Sequence, residues 1–284
     1  MYLDDGERWA PPSEAALGEA VRLMGADELD LRWVQSLLSV PLSAKMRVGL
    51  EDVLRAGREN AAIDMSDKDG AAAIFHLSPI IVERLRGKGV SAPAVADTVG
   101  DIGRHLRRHR RVTGRPGLPN WRWFGVHVTG TLVDVGRLQF EVIRCDGELT
   151  EVAGAWAARI HIPADSGPLL QQAVEDSLVR GARELRRAWP GIELTYAACD
   201  SWLLDPYLSE HLPNSNIAAF AGRFTPYAPP SDEPTDPLYF LWGHRDLERL
   251  PSHNLSSLER VVVERIARGG VWQFGRGVLR FPSV

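Results

Sequence analysis

The chain has 284 residues, 44% of them hydrophobic and 25% charged, a globular composition that excludes disordered and collagen-like chains and leaves room for one large domain or two ordinary ones. A formal net charge of −4 gives no overall pull toward nucleic acid or anionic membrane. Two cysteines, Cys145 and Cys199, are too few for a disulfide framework or a Cys-rich zinc site, so a reducing cytoplasm is the expected setting.

The opening segment, MYLDDGERWAPPSEAALGEA, carries acids and prolines where an export signal needs basic residues and then an apolar run, so no such signal is expected. Apolar runs such as AAAIF fall far short of the roughly 20 residues that cross a bilayer. A soluble protein is expected.

Up to about residue 111 the apolar period is helical. Leu17, Val21 and Met24 recur at i, i+4 and i+7, and Val95, Val99, Ile102 and Leu106 repeat that spacing. Ser13 and Ser91 stand at N-cap positions and Gly25 and Gly87 follow periodic runs as C-cap glycines do, in a set of five or six helices. The segment SPIIVERLRGKG predicts a helix capped by Ser78, with Pro79 at its first position, Arg84 inside it and Gly87 just past its end. Within it RLRGKG fits Arg-x-x-Gly-x-Gly, a phosphate-cradling signature. Phosphate binding needs glycines before a helix, where backbone N–H groups are unused; here they follow one, so the stretch reads as a helix stop.

In GRHLRRHRRVTGR, residues Arg104, Arg107, Arg108, Arg110, Arg111 and Arg115 cluster with His105 and His109. A phosphate-reading stripe is one interpretation, and a solvated helix end that suits the C-terminal dipole is the favoured one, so no nucleic-acid partner is expected. The i, i+4 histidines have helical metal-site spacing, but the arginines repel a dication and no third ligand is near, so no metal is expected. The Gly- and Pro-rich VTGRPGLPN, residues 112–120, is the linker, which places domains at 1–117 and 118–284.

Beyond it the period changes to two. Phe124, Val126 and Val128 alternate with polar or small residues, as do Leu138, Phe140 and Val142, and Asp146-Gly147 is a tight-turn dipeptide between strands. A helix is predicted over Leu169 to Trp189, then a strand around IELTYAAC, strands in NIAAFAGRF and LYFLWG, a helix in LSSLERVVVERIARG and a last strand in VWQFGRGVLRF. The fold class is α+β: an all-helical N-terminal domain followed by a mostly antiparallel mixed sheet flanked by helices.

Candidate chemistry follows from this placement. In RIHIPADSGPLLQQAVEDSL a strand through Ile162, a loop and a helix begun by Pro168 stand in the order an anion site requires, so Ser166, Gly167 and Leu169 can offer N–H groups; an ordinary connection capped by Asp165 or Ser166 fits the spacing equally. Glu141 shares a strand face with Gln139 and Ile143, and His161 shares one with Arg159. If that face lines a cleft, Glu141 can take a proton through water; otherwise it is a solvent-facing acid. Cys199, Asp200, Ser201 and Trp202 stand where the second long strand ends. Cys199 reads equally as a buried small hydrophobe and Asp200 as a turn cap. No Gly-x-Ser-x-Gly elbow surrounds Ser201.

The runs GRLQFE, HIPADSGPL, CDSWLLDPYLSEHLPNSNI and GVWQFGRGVL resemble the GNAT-like C-terminal domain of two-domain actinobacterial acyltransferase-type proteins, and the helical first part resembles their N-terminal domain. The resemblance spans nearly the whole chain. It implies a GNAT fold, with acyl-CoA in a V-shaped opening between two central strands and its pyrophosphate on a strand-to-helix loop. By position, His161 and Ile162 then meet the pantetheine arm, Ser166, Gly167 and Leu169 meet the pyrophosphate, and the strand ending near Cys199 forms the other wall. PADSGPL departs from the superfamily's Arg/Gln-x-x-Gly-x-Gly/Ala. Such enzymes often use a tyrosine after the second splayed strand as general acid, which nominates Tyr207. The implied function is acyl-CoA-dependent N-acyl transfer, from acetyl-CoA or another acyl-CoA to an amine of a small molecule or peptide. Glu141 or Asp200 is then the base and Tyr207 or Cys199 the proton donor to the leaving thiolate. A catalytically degenerate ligand-binding or regulatory protein is the alternative.

Overall fold

The computed structural model describes residues 9–57, 63–145 and 155–283. They form two compact units: the first reaches Val135 and adds Arg187–Trp189, the second takes Gly136–Arg186 and Pro190 onward. No described helix is long and apolar enough to cross a membrane.

The first unit holds α1 (Glu14–Met24), α2 (Glu28–Leu38), α3 (Ala44–Ala56), α4 (Asp67–Gly87), α5 (Ala92–Thr113), α6 (Gly125–Val128) and one short strand, β1 (Leu132–Val135). Side chains of Ser13, Asp27, Ser43, Ser66 and Ser91 cap the first five helices, each accepting from an N–H three residues on, and Gly25 ends α1 in the left-handed region at φ 58°. Close packing of α1 on α5 depends on a glycine, because a Cβ on Gly103 would lie 1.9 Å from the Met24 carbonyl oxygen.

Three expectations for this unit are corrected. Ser78 and Pro79 do not start a helix; α4 begins twelve residues earlier, capped by Ser66, and runs through them. The stretch from Gly70 to Pro79 is buried throughout, and burial on every side outweighs the bond a proline loses. Arg84 lies inside α4 as expected, but Gly87 is still helical and the left-handed glycine is Gly89, at φ 77°. Lys88 N–H bonds Arg84 O and Gly89 N–H bonds Arg86 O, so RLRGKG is a helix stop whose amides are spent. The alternating 124–128 is not a strand but a 3₁₀ turn, Trp121–Phe124, followed by α6, with every side chain from Phe124 to Val128 buried. Complete burial removes the polar face that separates period two from a helical turn.

At the basic helix end Arg111 and Arg115 are exposed, as a solvated end requires, but three other arginines bond within the unit. Arg104 pairs with Asp101 and Asp134, Arg107 donates to the Gly25 carbonyl, and Arg110 pairs with Asp27 and Asp30. These arginines fasten α5 to its neighbours in the first unit.

The second unit holds β2 (Leu138–Arg144), β3 (Trp156–His161), α7 (Gln171–Ala188), β4 (Tyr196–Ser201), α8 (Pro206–His211), α9 (Asn216–Ala221), β5 (Thr225–Asp232), α10 (Asp236–Trp242), α11 (Ser257–Ala267) and β6 (Gln273–Arg280). Its strands run in the order β2-β3-β4-β6-β5, antiparallel except for the parallel pair β3 and β4. This is the expected mixed α+β sheet. The Asp146-Gly147 turn lies outside the described residues.

NIAAFAGRF and LYFLWG carry helices α9 and α10, not strands, and the strand sits between them in TPYAPPSD. Prolines argue against a central strand; β5 is an edge, where a missing N–H costs no ladder bond. Alternation divides the sheet into two faces. On one, Phe140 packs so tightly on α7 that a Cβ on Gly181 would lie 2.4 Å from its ring. The other carries Gln139, Glu141, Arg159, His161, Ala198, Asp200 and Arg276.

Candidate active site in the splayed sheet

Strands β3 and β4 pair at Ala157↔Tyr196, Ala158↔Ala197 and Arg159↔Ala198, and there the pairing ends. β3 continues to His161 and β4 to Ser201, so the sheet opens into a wedge at their C-terminal ends. Backbone groups on the facing edges leave the ladder at this point, which makes them donors and acceptors for something other than the sheet.

The face away from α7 carries polar chemistry up to this wedge. Glu141, 3% exposed, places Oε2 3.0 Å from Nε2 of His161. Gln139 stands directly opposite His161 in the register and is 2% exposed. Glu141 is therefore not the solvent-facing acid that strand alternation also allowed. A carboxylate that is ionised only accepts, so the His161 tautomer that pairs with it carries its proton on Nε2 and leaves Nδ1 as the acceptor nitrogen.

Across the wedge, Asp200 accepts from the Tyr227 hydroxyl at 2.6 Å. Arg276 is the cross-strand partner of Asp200 and sets its guanidinium 5.2 Å from the centre of the Tyr227 ring. Burial, then the bond to Asp200, pushes the Tyr227 phenol up from its ordinary value. Tyr227 carries no local signal in the sequence, because it lies in a proline-rich run that reads as loop.

Cys199 points to the opposite face and is 1% exposed; burial, then the Asp200 charge, pushes its thiol up and keeps it protonated. Tyr207 packs in a cluster with Trp202 and Trp272. Its ring stacks on His211 with centroids 3.7 Å apart, meets Trp272 edge-on, and lies 4.4 Å below the Arg265 guanidinium. Asp205, 2% exposed, holds that cluster by accepting from Arg265 Nη1 at 2.6 Å, Gln273 N at 3.0 Å and Tyr207 N at 3.0 Å. The Asp-Pro pair opening LDPYL signals this cap in the sequence.

After Ile162 the chain turns through PADSG. Gly167 takes φ 80° with nothing within 4 Å of a would-be Cβ, and Leu169 is buried beside an exposed Leu170. Pro168 does not begin the helix: Val174 N–H bonds Leu170 O at 3.0 Å, so Leu170 is the cap and α7 starts at Gln171. The left-handed Gly167 cannot sit in a helical turn and the buried Leu169 anchors the approach. The first-turn amides without a carbonyl four residues back belong to Gln171, Gln172 and Ala173. Ser166, Gly167 and Leu169 form the loop that leads to them.

Among the described residues no group of three or more His, Cys, Asp or Glu side chains is placed to hold a metal ion. His105 Nδ1 lies 2.6 Å from Asn120 Nδ2, within a buried cluster around Asp101.

Residues 132–279 match the GNAT-like C-terminal domain family, and residues 49–130 match the N-acyltransferase N-terminal domain family. The fold is similar to that of a point mutant of an acyltransferase in complex with octanoyl-CoA, at 22% identity over 99% of this chain and 92% of the other, TM-score 0.79. An acyltransferase in complex with CoA and 10C-teicoplanin is 25% identical over the same shares, TM-score 0.76. Another, in complex with decanoyl-CoA and teicoplanin, is 26% identical over 99% and 92%, TM-score 0.75. No curated protein matches the chain.

Proposed function

Because the chain belongs to the acyltransferase family that carries the GNAT-like C-terminal domain, we propose that it transfers a medium-chain acyl group from acyl-CoA to an amine of a small molecule or peptide. The observation that carries this reading is the wedge between β3 and β4, beside which the Glu141 and His161 pair stands. Octanoyl-CoA, decanoyl-CoA and teicoplanin in the similar structures support the choice of donor and of a peptide-like acceptor.

In this reading the acyl thioester enters the wedge with its pyrophosphate at the Gly167 loop and the first turn of α7, where unspent amides and the helix dipole favour an anion. N–H groups on the β3 edge beyond Arg159 polarise the thioester carbonyl. The amine attacks that carbon while Nδ1 of His161 takes its proton, and Glu141 holds the imidazole in the needed tautomer and stabilises the imidazolium. The C–S bond breaks, and the imidazolium returns the proton to the CoA thiolate. Asp200, with Tyr227 and Arg276 behind it, offers an N–H of the acceptor amine a carboxylate on the second wall. No step is assigned to Cys199, whose thiol is buried, or to Tyr207, whose ring is held in the Asp205 and Arg265 cluster.

Calorimetric titration with octanoyl-CoA is expected to give micromolar binding, and thiol release is expected only when an amine is added. Absence of binding at millimolar concentrations of octanoyl-, decanoyl- and acetyl-CoA overturns the reading. Binding with no thiol release across a broad amine panel that includes teicoplanin replaces it with a ligand-binding role.

A further inference from the structure

The loop between β3 and α7 lacks the arginine or glutamine that opens the usual phosphate signature, and its own charge is the carboxylate of Asp165. A cation reaches it from a different part of the chain. Gly136 and Arg137 link β1 to β2. Gly136 takes φ 73°, and a Cβ there would come within 2.8 Å of Ser177 Oγ, so the link passes directly against α7.

Arg137 then bonds in two directions. Its backbone N–H donates to Ser177 Oγ at 2.6 Å, and that hydroxyl donates to the Ala173 carbonyl at 2.8 Å, in the first turn of α7. Its side chain, on a residue 8% exposed, turns the other way and Nη1 donates to Pro163 O at 3.0 Å, where the chain leaves β3. One residue thereby ties the entry of the loop to its exit. A buried guanidinium is charged at every working pH and cannot swing away as a surface lysine does.

We propose that Arg137 is a positioning residue for the cofactor: it holds the loop from Pro163 to Leu170 in the form that takes a pyrophosphate, and its charge offsets Asp165 there. This rests on the acyl-CoA reading above and deepens it by moving the missing cation of the phosphate signature to the link between β1 and β2. Holding the loop before the ligand arrives lowers the ordering cost of binding. The charge adds a term that acts only on a phosphorylated ligand.

The test compares two thioesters that differ in their phosphates, octanoyl-CoA and octanoyl-pantetheine, by calorimetry on the full chain. For Arg137→Met the Kd of octanoyl-CoA is expected to rise about tenfold or more, while that of octanoyl-pantetheine changes less than about twofold. Arg137→Lys keeps the charge without the planar fork and is expected to fall between wild type and Arg137→Met. It also supplies the comparison if the methionine variant does not fold. Equal weakening of both thioesters, or no weakening of octanoyl-CoA, overturns the inference while leaving the acyl-CoA reading standing. A wild-type chain that binds neither thioester overturns that reading and this inference together.

Discussion

Glu141 and His161 meet diagonally across the antiparallel pair β2 and β3: Gln139 stands opposite His161 and Arg159 opposite Glu141, yet Oε2 and Nε2 lie 3.0 Å apart. Diagonal neighbours on one sheet face are within reach only of long side chains. The geometry therefore spends the length of a glutamate to set the orientation of one imidazole, at the strand end where β3 leaves β4.

His161→Ala is expected to lower kcat/KM for acyl transfer by about 10²–10⁴, the usual contribution of a positioned general base. Glu141→Gln keeps the shape and removes the charge, so its loss is expected to be smaller and to appear in kcat more than in KM. Steady-state thiol release checks both. Unchanged kcat in His161→Ala would remove the base from the proposed mechanism.

Burial pushes His105 and His76 below the ordinary histidine value. The unfolded chain titrates near 6.5, so below that pH it binds protons that the native chain resists. Stability from these groups is complete above about pH 7 and is lost as pH falls through 6.5 toward the lower native values. Asp101 adds loss only in stronger acid: burial works to raise it, but His105, His127 and Arg104 together hold it well below the carboxylate range. The urea midpoint is expected to be lower at pH 5 than at pH 7.5, and His105→Gln is expected to flatten that slope. A midpoint independent of pH between 5 and 7.5 would contradict it.

Two glycines three residues apart on α5 should respond in opposite ways to alanine. A Cβ on Gly103 meets the Met24 carbonyl at 1.9 Å, whereas one on Gly100 finds its nearest atom, Leu23 O, at an ordinary 3.7 Å. Gly103→Ala must push α1 and α5 apart and is expected to cost about 1–3 kcal/mol. Gly100→Ala gains helix propensity of up to about 1 kcal/mol. Urea unfolding of the two variants beside the wild type checks the sign of each change.

The helical first part, the antiparallel strands and the α+β class were legible because each is local. Leu17, Val21 and Met24 repeat at helix spacing, Leu138, Phe140 and Val142 at strand spacing, and Ser13 and Ser91 cap where serines should. Local patterns lose their meaning where burial is complete or where an edge tolerates prolines. The stretch from Phe124 to Val128 has no polar side to reveal its period, α4 runs through Pro79 because its surroundings are buried, and Tyr227 lies on a strand written in prolines.

Periodicity determined that Glu141 shares a strand face with Gln139 and Ile143, and His161 one with Arg159, since alternate side chains share a side whatever the sheet order. The strand that lies beside β3, the point where that pairing stops, and the distance from Glu141 to His161 were decided by tertiary structure, as was the path of Arg137 to Pro163. Those depend on residues 20 to 40 positions apart meeting in space. Neighbour-to-neighbour alternation carries no information about register or strand order, which follow from how the whole sheet packs.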